Sequence, residues 1–427
     1  MRRRILIALV AAAGLVTAGC SGGNDRSTQD DGGASSSDTV EVYSWWTSPS
    51  EELGLDALQE VFAQEYPEIQ FVNGGVAGGG GSTKQLLQAR LEAGEPPDSF
   101  QVHAGREAQD YIDAGHVTDI SDLYNEFGLD GVFPPGLLDM LTQDRHLYTI
   151  PSNVHRANVL WASVPALEDA GIDPGAIAYP TVDAFIADLE KIADQAEVTP
   201  LAVGGTWTQV HLLETILIAE LGADGYDGLF DGTTDWSGPQ VGAALEEFQT
   251  LIGLTNEDRE EYDWEFPTQM VVDGDAAFTI MGDWVPALLE SNSLVEGVDY
   301  VWAPSPGTDG IYDFLADSFS MTVGAPNPAG AKAWLAVIAS ADGQAAFNQV
   351  KGSIPARTDV DLSQFSSYQQ AAAQSFASDA IVGSIQHGAA ATIAQGEAVN
   401  RAVYAFVTSG ADDLAKFQAD LTAAFAE

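Results

Sequence analysis

The chain has 427 residues, 45% of them hydrophobic, and its 63 acidic and 16 basic side chains give a formal net charge of −47. Because this length exceeds one ordinary hydrophobic core, we expect two domains or more. Phosphate backbones and anionic lipids repel such a polyanion, which excludes nucleic-acid binding. The scarcity of lysine fits either a GC-rich genome or adaptation to salt, and the sequence leaves both open.

The N-terminus has the pattern of an export signal. Three arginines at 2–4 precede an apolar segment at 5–16, which is shorter than the roughly 20 residues that a spanning helix needs. Residues 16–20 then resemble a bacterial lipobox, in which cleavage precedes Cys20, the only cysteine of the chain. We therefore expect a signal peptide at 1–19 and an extracytoplasmic protein held to the membrane only by lipid on Cys20. An ordinary signal peptide is the alternative, and export by the Sec or the twin-arginine route stays open.

The first folded region alternates strands and helices. Residues 20–39 are the lipidated Cys and a tether too polar to pack. Strands are predicted at 40–46, 69–72 and 99–102, with helices from Leu53 to Phe62 and at 84–93, and a glycine-rich loop at 74–81. This order predicts a mainly parallel α/β sheet.

The remainder of the chain is richer in helices. Periodicity predicts short strands at 276–280 and 300–302, and helices at 181–196, 212–221, 241–254, 331–341, 343–351, 366–376, 391–407 and 412–425. This order suggests two α/β lobes joined by chain crossovers. A groove between two such lobes is a favoured ligand site.

Motifs for catalysis, metal and nucleotide are lacking. In the glycine-rich stretch at 78–84 the lysine follows the hydroxyl residues, whereas a phosphate-binding loop needs the reverse order. The six histidines form no metal-binding spacing, and no Gly-x-Ser-x-Gly or free cysteine nucleophile is present. We predict no catalytic residue, metal or cofactor, although sequence alone does not exclude a carboxylate pair of the glycosidase type.

Four tryptophans stand where strands or helices meet loops. Trp45 and Trp46 precede a Thr-Ser-Pro segment, Trp264 lies in an acidic stretch, and Trp284 follows Gly282 and Asp283. Ligands of α/β sheets bind beyond the carboxyl ends of strands, and indole faces stack on the flat C–H faces of sugars. As a set, these residues predict a sugar site.

Short motifs along the chain resemble those of the extracellular solute-binding proteins (family 1) of carbohydrate ABC transporters, and within them the glucose/mannose-binding subgroup. The matching stretches are 44–46, 77–82, 96–105, 151–158, 207–211, 276–284, 302–307, 317–319, 351–354 and 383–388. The resemblance implies the α/β, two-lobed periplasmic-binding-protein fold (type II), with a cleft that closes about a hinge. The N-lobe would comprise 40–150 plus about 304–357, and the C-lobe 151–303 plus about 358–427.

The resemblance also implies a set of ligand-binding residues. The primary candidates are Trp45, Trp46, Glu51, His103, Trp264, Trp284, Asp317, Lys351 and His387. The secondary candidates are Gly80, Asn153, His155 and Gln209. A carboxylate such as Asp317 accepts from vicinal hydroxyls, and an ammonium such as Lys351 donates to a neighbouring oxygen. Arg156 is equally consistent with a structural role, and His211 with a core position.

The resulting functional hypothesis is a monomeric substrate-binding lipoprotein of an ABC sugar importer. It would bind a monosaccharide, glucose or else mannose or galactose, and deliver it to the permease transmembrane subunits. The alternatives are a binder of an oligosaccharide or polyol, a surface lipoprotein for sensing or adhesion, and an extracellular glycosidase or lyase.

Overall fold

The computed structural model describes residues 38–76, 79–195 and 197–426. The predicted signal peptide, Cys20 and the tether up to residue 37 lie outside these residues. The first strand begins at Thr39, the last residue of the predicted tether. Among the helices described, none is long and apolar enough to cross a membrane.

The strands and helices follow each other along the whole described chain. The strands are β1 Thr39–Tyr43, β2 Gln70–Asn73, β3 Ser99–His103, β4 Thr142–Gln143, β5 His146–Leu147, β6 Thr149–Pro151, β7 His155–Arg156, β8 Val159–Ser163, β9 Thr199–Leu201, β10 Ala276–Ile280, β11 Tyr300–Pro304, β12 Ile311–Leu315, β13 Asp317–Met321 and β14 Ala380–Gly383. The helices are α1 Pro49–Glu65, α2 Gly79–Ala93, α3 Arg106–Asp113, α4 Ser121–Glu126, α5 Pro135–Leu141, α6 Val164–Asp169, α7 Val182–Gln195, α8 Thr206–Asp231, α9 Pro239–Ile252, α10 Glu265–Asp273, α11 Val285–Ser291, α12 Pro328–Ala339, α13 Ala341–Lys351, α14 Ser367–Ser378, α15 Ile393–Thr408 and α16 Leu414–Ala424.

The first sheet has the strand order β2-β1-β3-β13-β6. β1 pairs in parallel with β2 and β3, as the sequence predicts, but β13 runs antiparallel to both β3 and β6. The sheet is therefore mixed. Its core contains Val42, Leu58, Phe62, Phe319 and Trp334, which pack α1 and α12 against it.

The second sheet has the order β11-β8-β10-β9, in which β8 is antiparallel to both neighbours. Leu160, Phe185, Ile216, Phe248 and Phe406 belong to the core that joins this sheet to α7, α8, α9 and α15. A third sheet, β14-β12-β7, connects the two. The chain passes from β6 through β7 into β8, and returns from β11 through β12 into β13.

Three element boundaries differ from the sequence predictions for identifiable reasons. β1 ends at Tyr43 instead of residue 46, because side chains of Asn73, Gln101 and Ser44 satisfy the backbone N–H groups of residues 44–46. α2 begins at Gly79, inside the predicted loop, and Thr83 Oγ1 accepts a bond from Val76 N. The helix predicted at 212–221 is the middle of α8, which is broken at Gly222, where φ is 66°.

Candidate functional site

A cavity of about 530 Å³ is lined by elements of both large sheets and by the loop that follows β14. All nine primary candidates line it: Trp45, Trp46, Glu51, His103, Trp264, Trp284, Asp317, Lys351 and His387. Residues far apart in the sequence therefore share one surface. A volume of this size falls in the usual range for small-molecule sites, roughly 300–1,000 Å³.

Asp317, the first residue of β13, is the most heavily bonded carboxylate of the cavity. Its Oδ1 accepts from Gln101 Nε2 at 2.8 Å, and its Oδ2 accepts from Asn153 Nδ2 at 2.9 Å. His155 Nε2 lies 3.4 Å from Oδ2. Burial alone would raise the pKa of Asp317, but His155, His103 and Lys351 hold it below its ordinary value. The cavity thus keeps a fixed anionic acceptor.

Lys351 and Glu51 form a second charged group. The Lys351 ammonium, on a residue only 3% exposed, lies 3.5 Å from Glu51 Oε1, and Ser48 Oγ donates to Glu51 Oε2 at 3.2 Å. Burial raises the pKa of the Glu51 carboxyl, against the lowering effect of Lys351. The pair offers a donor and an acceptor side by side.

His103 belongs to a charged cluster that sequence reasoning missed in part. Its Nδ1 lies 2.8 Å from Glu107 Oε2, which also accepts from Lys84 Nζ at 2.8 Å. Burial would raise the pKa of Glu107, but Lys84 and His103 lower it to about 2. Glu107 Oε1 is buried without a hydrogen-bond partner in the described part of the chain. Lys84 and Glu107 line the cavity, and neither was predicted as a site residue.

The two adjacent tryptophans occupy different environments. Trp45 packs against His103, with ring centroids 4.9 Å apart, and Lys84 Nζ lies 4.8 Å from its ring. Trp46 is 1% exposed and packs against Phe319 and Phe347. Both line the cavity, but Trp46 is mainly a core residue.

Trp284 stands at the centre of an aromatic cluster on the opposite wall. Its ring centroid lies 6.4 Å from those of Trp264 and Trp207, and 5.2 Å from that of His387. Trp207 Nε1 donates to Asp263 Oδ1 at 2.7 Å. Trp207 and Asp263 also line the cavity, and sequence reasoning did not single them out as site residues.

His155 lies between two buried carboxylates. Its Nδ1 contacts Asp283 Oδ1, and its Nε2 faces Asp317. Burial would lower the pKa of His155, but Asp283 and Asp317 raise it. The Asp283 carboxylate is held in turn by Tyr368 OH at 3.1 Å and by Arg156 N at 3.0 Å. The His155 imidazole therefore helps to fix the orientation of the Asp317 carboxylate.

His387, in the loop after β14, meets His211 and Glu214 of α8. Its Nε2 lies 3.3 Å from His211 Nδ1, which is 3.8 Å from Glu214 Oε1. Within the described residues, these three are the group whose donor atoms are close enough to bind a metal together. The sequence spacing did not reveal it. The Glu214 oxygens already accept from Ser384 Oγ, Ile385 N and Gln386 N.

The remaining candidates have mostly supporting positions. His155 lines the cavity, whereas Asn153 and Gln209 do not. Asn153 bonds Asp317, and Gln209 Nε2 donates to Gly204 O at 3.0 Å. Gly80 lies in the first turn of α2.

Neither Arg156 nor His211 lines the cavity. Arg156 is buried and donates to Asn158 Oδ1 and Ile311 O. His211 is fully buried, as a core histidine would be.

Comparison with known proteins gives consistent matches. The chain matches the family model for bacterial extracellular solute-binding proteins over residues 38–345. An uncharacterized ABC transporter extracellular-binding protein of Pyrococcus horikoshii is 34% identical over 399 residues, covering 91% of this chain and 89% of the relative. A probable sugar-binding periplasmic protein of Rhizobium meliloti is 31% identical over 384 residues, covering 88% and 90%. The solved structure of a chitin oligosaccharide binding protein superimposes with a TM-score of 0.79 at 20% identity, covering 91% and 98%.

These matches decide the fold class and the general kind of protein. The two-lobed α/β fold of type II is confirmed by the structural match. The matched family comprises extracellular solute-binding proteins, and the Pyrococcus horikoshii relative is named as the extracellular-binding protein of an ABC transporter. Membership of a family of binding proteins confirms the expectation that the chain is not an enzyme. The chain belongs to the bacterial extracellular solute-binding proteins.

Proposed function

We propose that the protein is the sugar-binding subunit of an ABC importer, and that it binds a monosaccharide, D-glucose or its epimers mannose or galactose, for delivery to the permease. One observation carries the proposal: indole rings and charged hydrogen-bonding groups converge on one cavity. Sugars need both kinds of contact, because they have apolar C–H faces and a rim of hydroxyl groups. The sugar-binding relative in Rhizobium meliloti supports the same ligand class.

The polar groups cluster at the scale of one sugar ring. His103 lies 4.9 Å from Trp45 and 5.6 Å from His387 between ring centroids, and His103 Nε2 is 3.9 Å from Asp317 Oδ1. Carboxylates accept from hydroxyl groups, and the ammonium of Lys351 donates to an oxygen. His103, Asp317 and His387 thus offer hydrogen-bonding groups within the span of a single pyranose, which favours a monosaccharide.

An oligosaccharide is the second candidate, and the extent of the cavity favours it. Beyond the clustered polar groups, the cavity continues along α2 and α15, where Gln88, Glu397 and Asn400 line it. These polar side chains offer additional hydrogen-bonding partners. A disaccharide or longer chain could place its second ring there.

We further propose a lipid anchor on Cys20 and a monomeric state. The N-lobe would comprise 40–150 plus about 304–357, and the C-lobe 151–303 plus about 358–427. Detergent phase partition tests the anchor. We expect the wild-type protein in the detergent phase and Cys20→Ser in the aqueous phase. Wild-type protein in the aqueous phase would contradict the anchor and leave the ligand proposal untouched.

The ligand is tested by isothermal titration calorimetry of the purified protein against glucose, mannose, galactose, maltose, cellobiose and sorbitol. We expect tightest binding to a monosaccharide, with glucose first. Tighter binding to maltose or cellobiose would move the assignment to the oligosaccharide. No heat and no thermal stabilisation with any of the six would overturn the sugar proposal.

A further inference from the structure

The hydrogen bonds behind His387 determine which of its ring nitrogens can accept a hydrogen bond. His211 Nε2 lies 3.0 Å from Ala157 O, and a carbonyl oxygen can only accept, so this nitrogen carries the proton. His211 is fully buried, and burial lowers its pKa to about 4. Its ring is therefore neutral near pH 7, and its Nδ1 is a bare acceptor.

That acceptor faces the second histidine. His211 Nδ1 lies 3.3 Å from His387 Nε2, and it can only receive a proton from that nitrogen. A neutral imidazole carries one N–H, so His387 Nδ1 is then a lone pair. Burial lowers the pKa of His387, and the ammonium of Lys84 acts in the same direction, which keeps this ring neutral too. No protein partner of His387 Nδ1 is found among the described residues, and His387 lines the cavity.

We propose that His211 is a positioning residue, which fixes the tautomer of His387 so that the cavity presents the His387 Nδ1 lone pair as an acceptor for a ligand hydroxyl group. The role of His387 toward the ligand rests on the proposed function, whereas the tautomer does not. In this relay His387 Nε2 donates to His211 Nδ1, and His211 Nε2 donates to Ala157 O, because the carbonyl oxygen can only accept. The cavity therefore favours a ligand whose hydroxyl group donates to His387 Nδ1.

Neighbouring contacts hold the relay in place. His387 N donates to Ser384 Oγ at 3.1 Å, and Ser384 Oγ donates to Glu214 Oε1 at 2.8 Å. The ring of Trp284 packs against both imidazoles, with centroids 5.2 Å from His387 and 6.0 Å from His211. Both rings are therefore restrained on several sides, as the fixed geometry of a hydrogen-bond relay requires.

The direct test is a nitrogen NMR spectrum of the ligand-free wild-type protein with ¹⁵N-labelled histidine. The chain has six histidines, and a His387→Asn spectrum assigns the ring in question. We expect His387 with protonated Nε2 and bare Nδ1 at pH 7. A proton on His387 Nδ1, or a stoichiometric metal ion bound by His387 Nε2 and His211 Nδ1 in the purified protein, would overturn the proposal. This result does not depend on any sugar.

Two substitutions test the consequence for binding, with D-glucose as the probe. His211→Phe removes the acceptor, and we expect the Kd to rise about tenfold, the loss of about one hydrogen bond. His211→Asn retains an acceptor near the position of Nδ1, and we expect a Kd within about threefold of wild type. His146→Phe, at a half-exposed histidine outside the cavity, is the control.

Equal loss in the two folded His211 variants would contradict the relay, since only one of them removes the acceptor. Unchanged affinity in His211→Phe would contradict it as well. If neither variant folds, the wild-type spectrum decides. If wild type binds no sugar, the proposed function fails, and the tautomer is still decided by the spectrum.

Discussion

Asp317 lies directly opposite His103 in the antiparallel pair of β13 and β3, with Oδ1 3.9 Å from the His103 Nε2. β3 also belongs to the parallel strands β2-β1-β3. Its carboxyl end, at His103, therefore lies beside Asp317, the first residue of the antiparallel strand β13. Ligands bind at such carboxyl ends. The insertion of β13 therefore delivers a carboxylate from late in the chain to the place where the loop after β1 carries Trp45.

Lys351 is the residue whose charge we expect to matter most for binding. In Lys351→Met the apolar stem keeps its volume, but the ammonium that faces Glu51 at 3.5 Å is lost. We expect the Kd for glucose, measured by calorimetry, to rise at least about tenfold, because hydrogen bonds to charged groups contribute about 1.5–3 kcal/mol. The free energy of unfolding should fall as well, because the substitution leaves the mostly buried Glu51 carboxylate without its cation.

The matched control is Lys332→Met, which removes an exposed lysine that pairs with Glu126 away from the cavity. It should leave affinity unchanged. Wild-type affinity in Lys351→Met, measured on folded protein, would remove Lys351 from the site.

Trp45 and Trp46 should respond differently to the same substitution. Trp45 faces His103 and Lys84 in the cavity, so Trp45→Ala should weaken glucose binding about tenfold, the upper end of about 0.5–1.5 kcal/mol per aromatic contact. Trp46 is packed against Phe319 and Phe347, so Trp46→Ala should lower the free energy of unfolding by about 3–5 kcal/mol. Calorimetry and urea unfolding measure the two effects. Because Trp45 is also largely buried, its substitution should cost some stability too, but a loss as large as that of Trp46→Ala would contradict the assignment of Trp46 as the more deeply packed ring.

Asp313 and Glu214 form a buried carboxyl pair between β12 and α8. Burial and the neighbouring Glu214 raise the pKa of Asp313, and burial raises the pKa of Glu214 to about 7. A raised pKa means that the folded state binds more protons, so this contribution to stability is present below pH 4.5 and is lost as the pH rises through 7. His211, whose pKa is lowered, acts in the opposite direction at acidic pH. The difference between variants is therefore the useful readout.

We expect Asp313→Asn, which mimics the protonated acid, to gain in free energy of unfolding relative to wild type as the pH rises from 5 to 8, because wild type must keep a proton on Asp313 that the unfolded chain releases. Urea unfolding at the two pH values measures this. Asp130→Asn, at an exposed position, corrects for the loss of one negative charge from the acidic surface. A pH-independent difference would show that the pair does not titrate in this range.

The sequence predicted much of the site because its members lie in recognisable local motifs, and the structure brings all nine primary candidates to one cavity. Their role in binding stays a prediction. β12 and β13 were missed because Asp313, Asp317, Ser318 and Ser320 are polar residues in strands that are buried on both faces over most of their length, which removes the expected alternation. Glu107 was missed because His103 ends β3 whereas Glu107 lies in α3, so neither strand nor helix periodicity relates the two residues.

We predict that the position of the Trp284 ring depends on the absence of a side chain at Gly282. A Cβ at this position would lie 2.1 Å from the Trp284 ring, well inside any real contact. Gly282→Ala should therefore displace Trp284, and with it the packing of His387 and Trp264. We expect weaker glucose binding by at least about tenfold and a free energy of unfolding lower by about 1–3 kcal/mol, the usual cost of overpacking.

The control is Gly136→Ala, at an exposed position of α5 where a Cβ meets nothing within 4 Å. Because alanine is the better helix former, this variant should unfold with a free energy higher by up to about 1 kcal/mol and should bind normally. Calorimetry and urea unfolding of both variants measure the contrast. Wild-type affinity in Gly282→Ala would mean that the ring of Trp284 can move without loss of the ligand, and Trp284 would then be a support outside the binding surface.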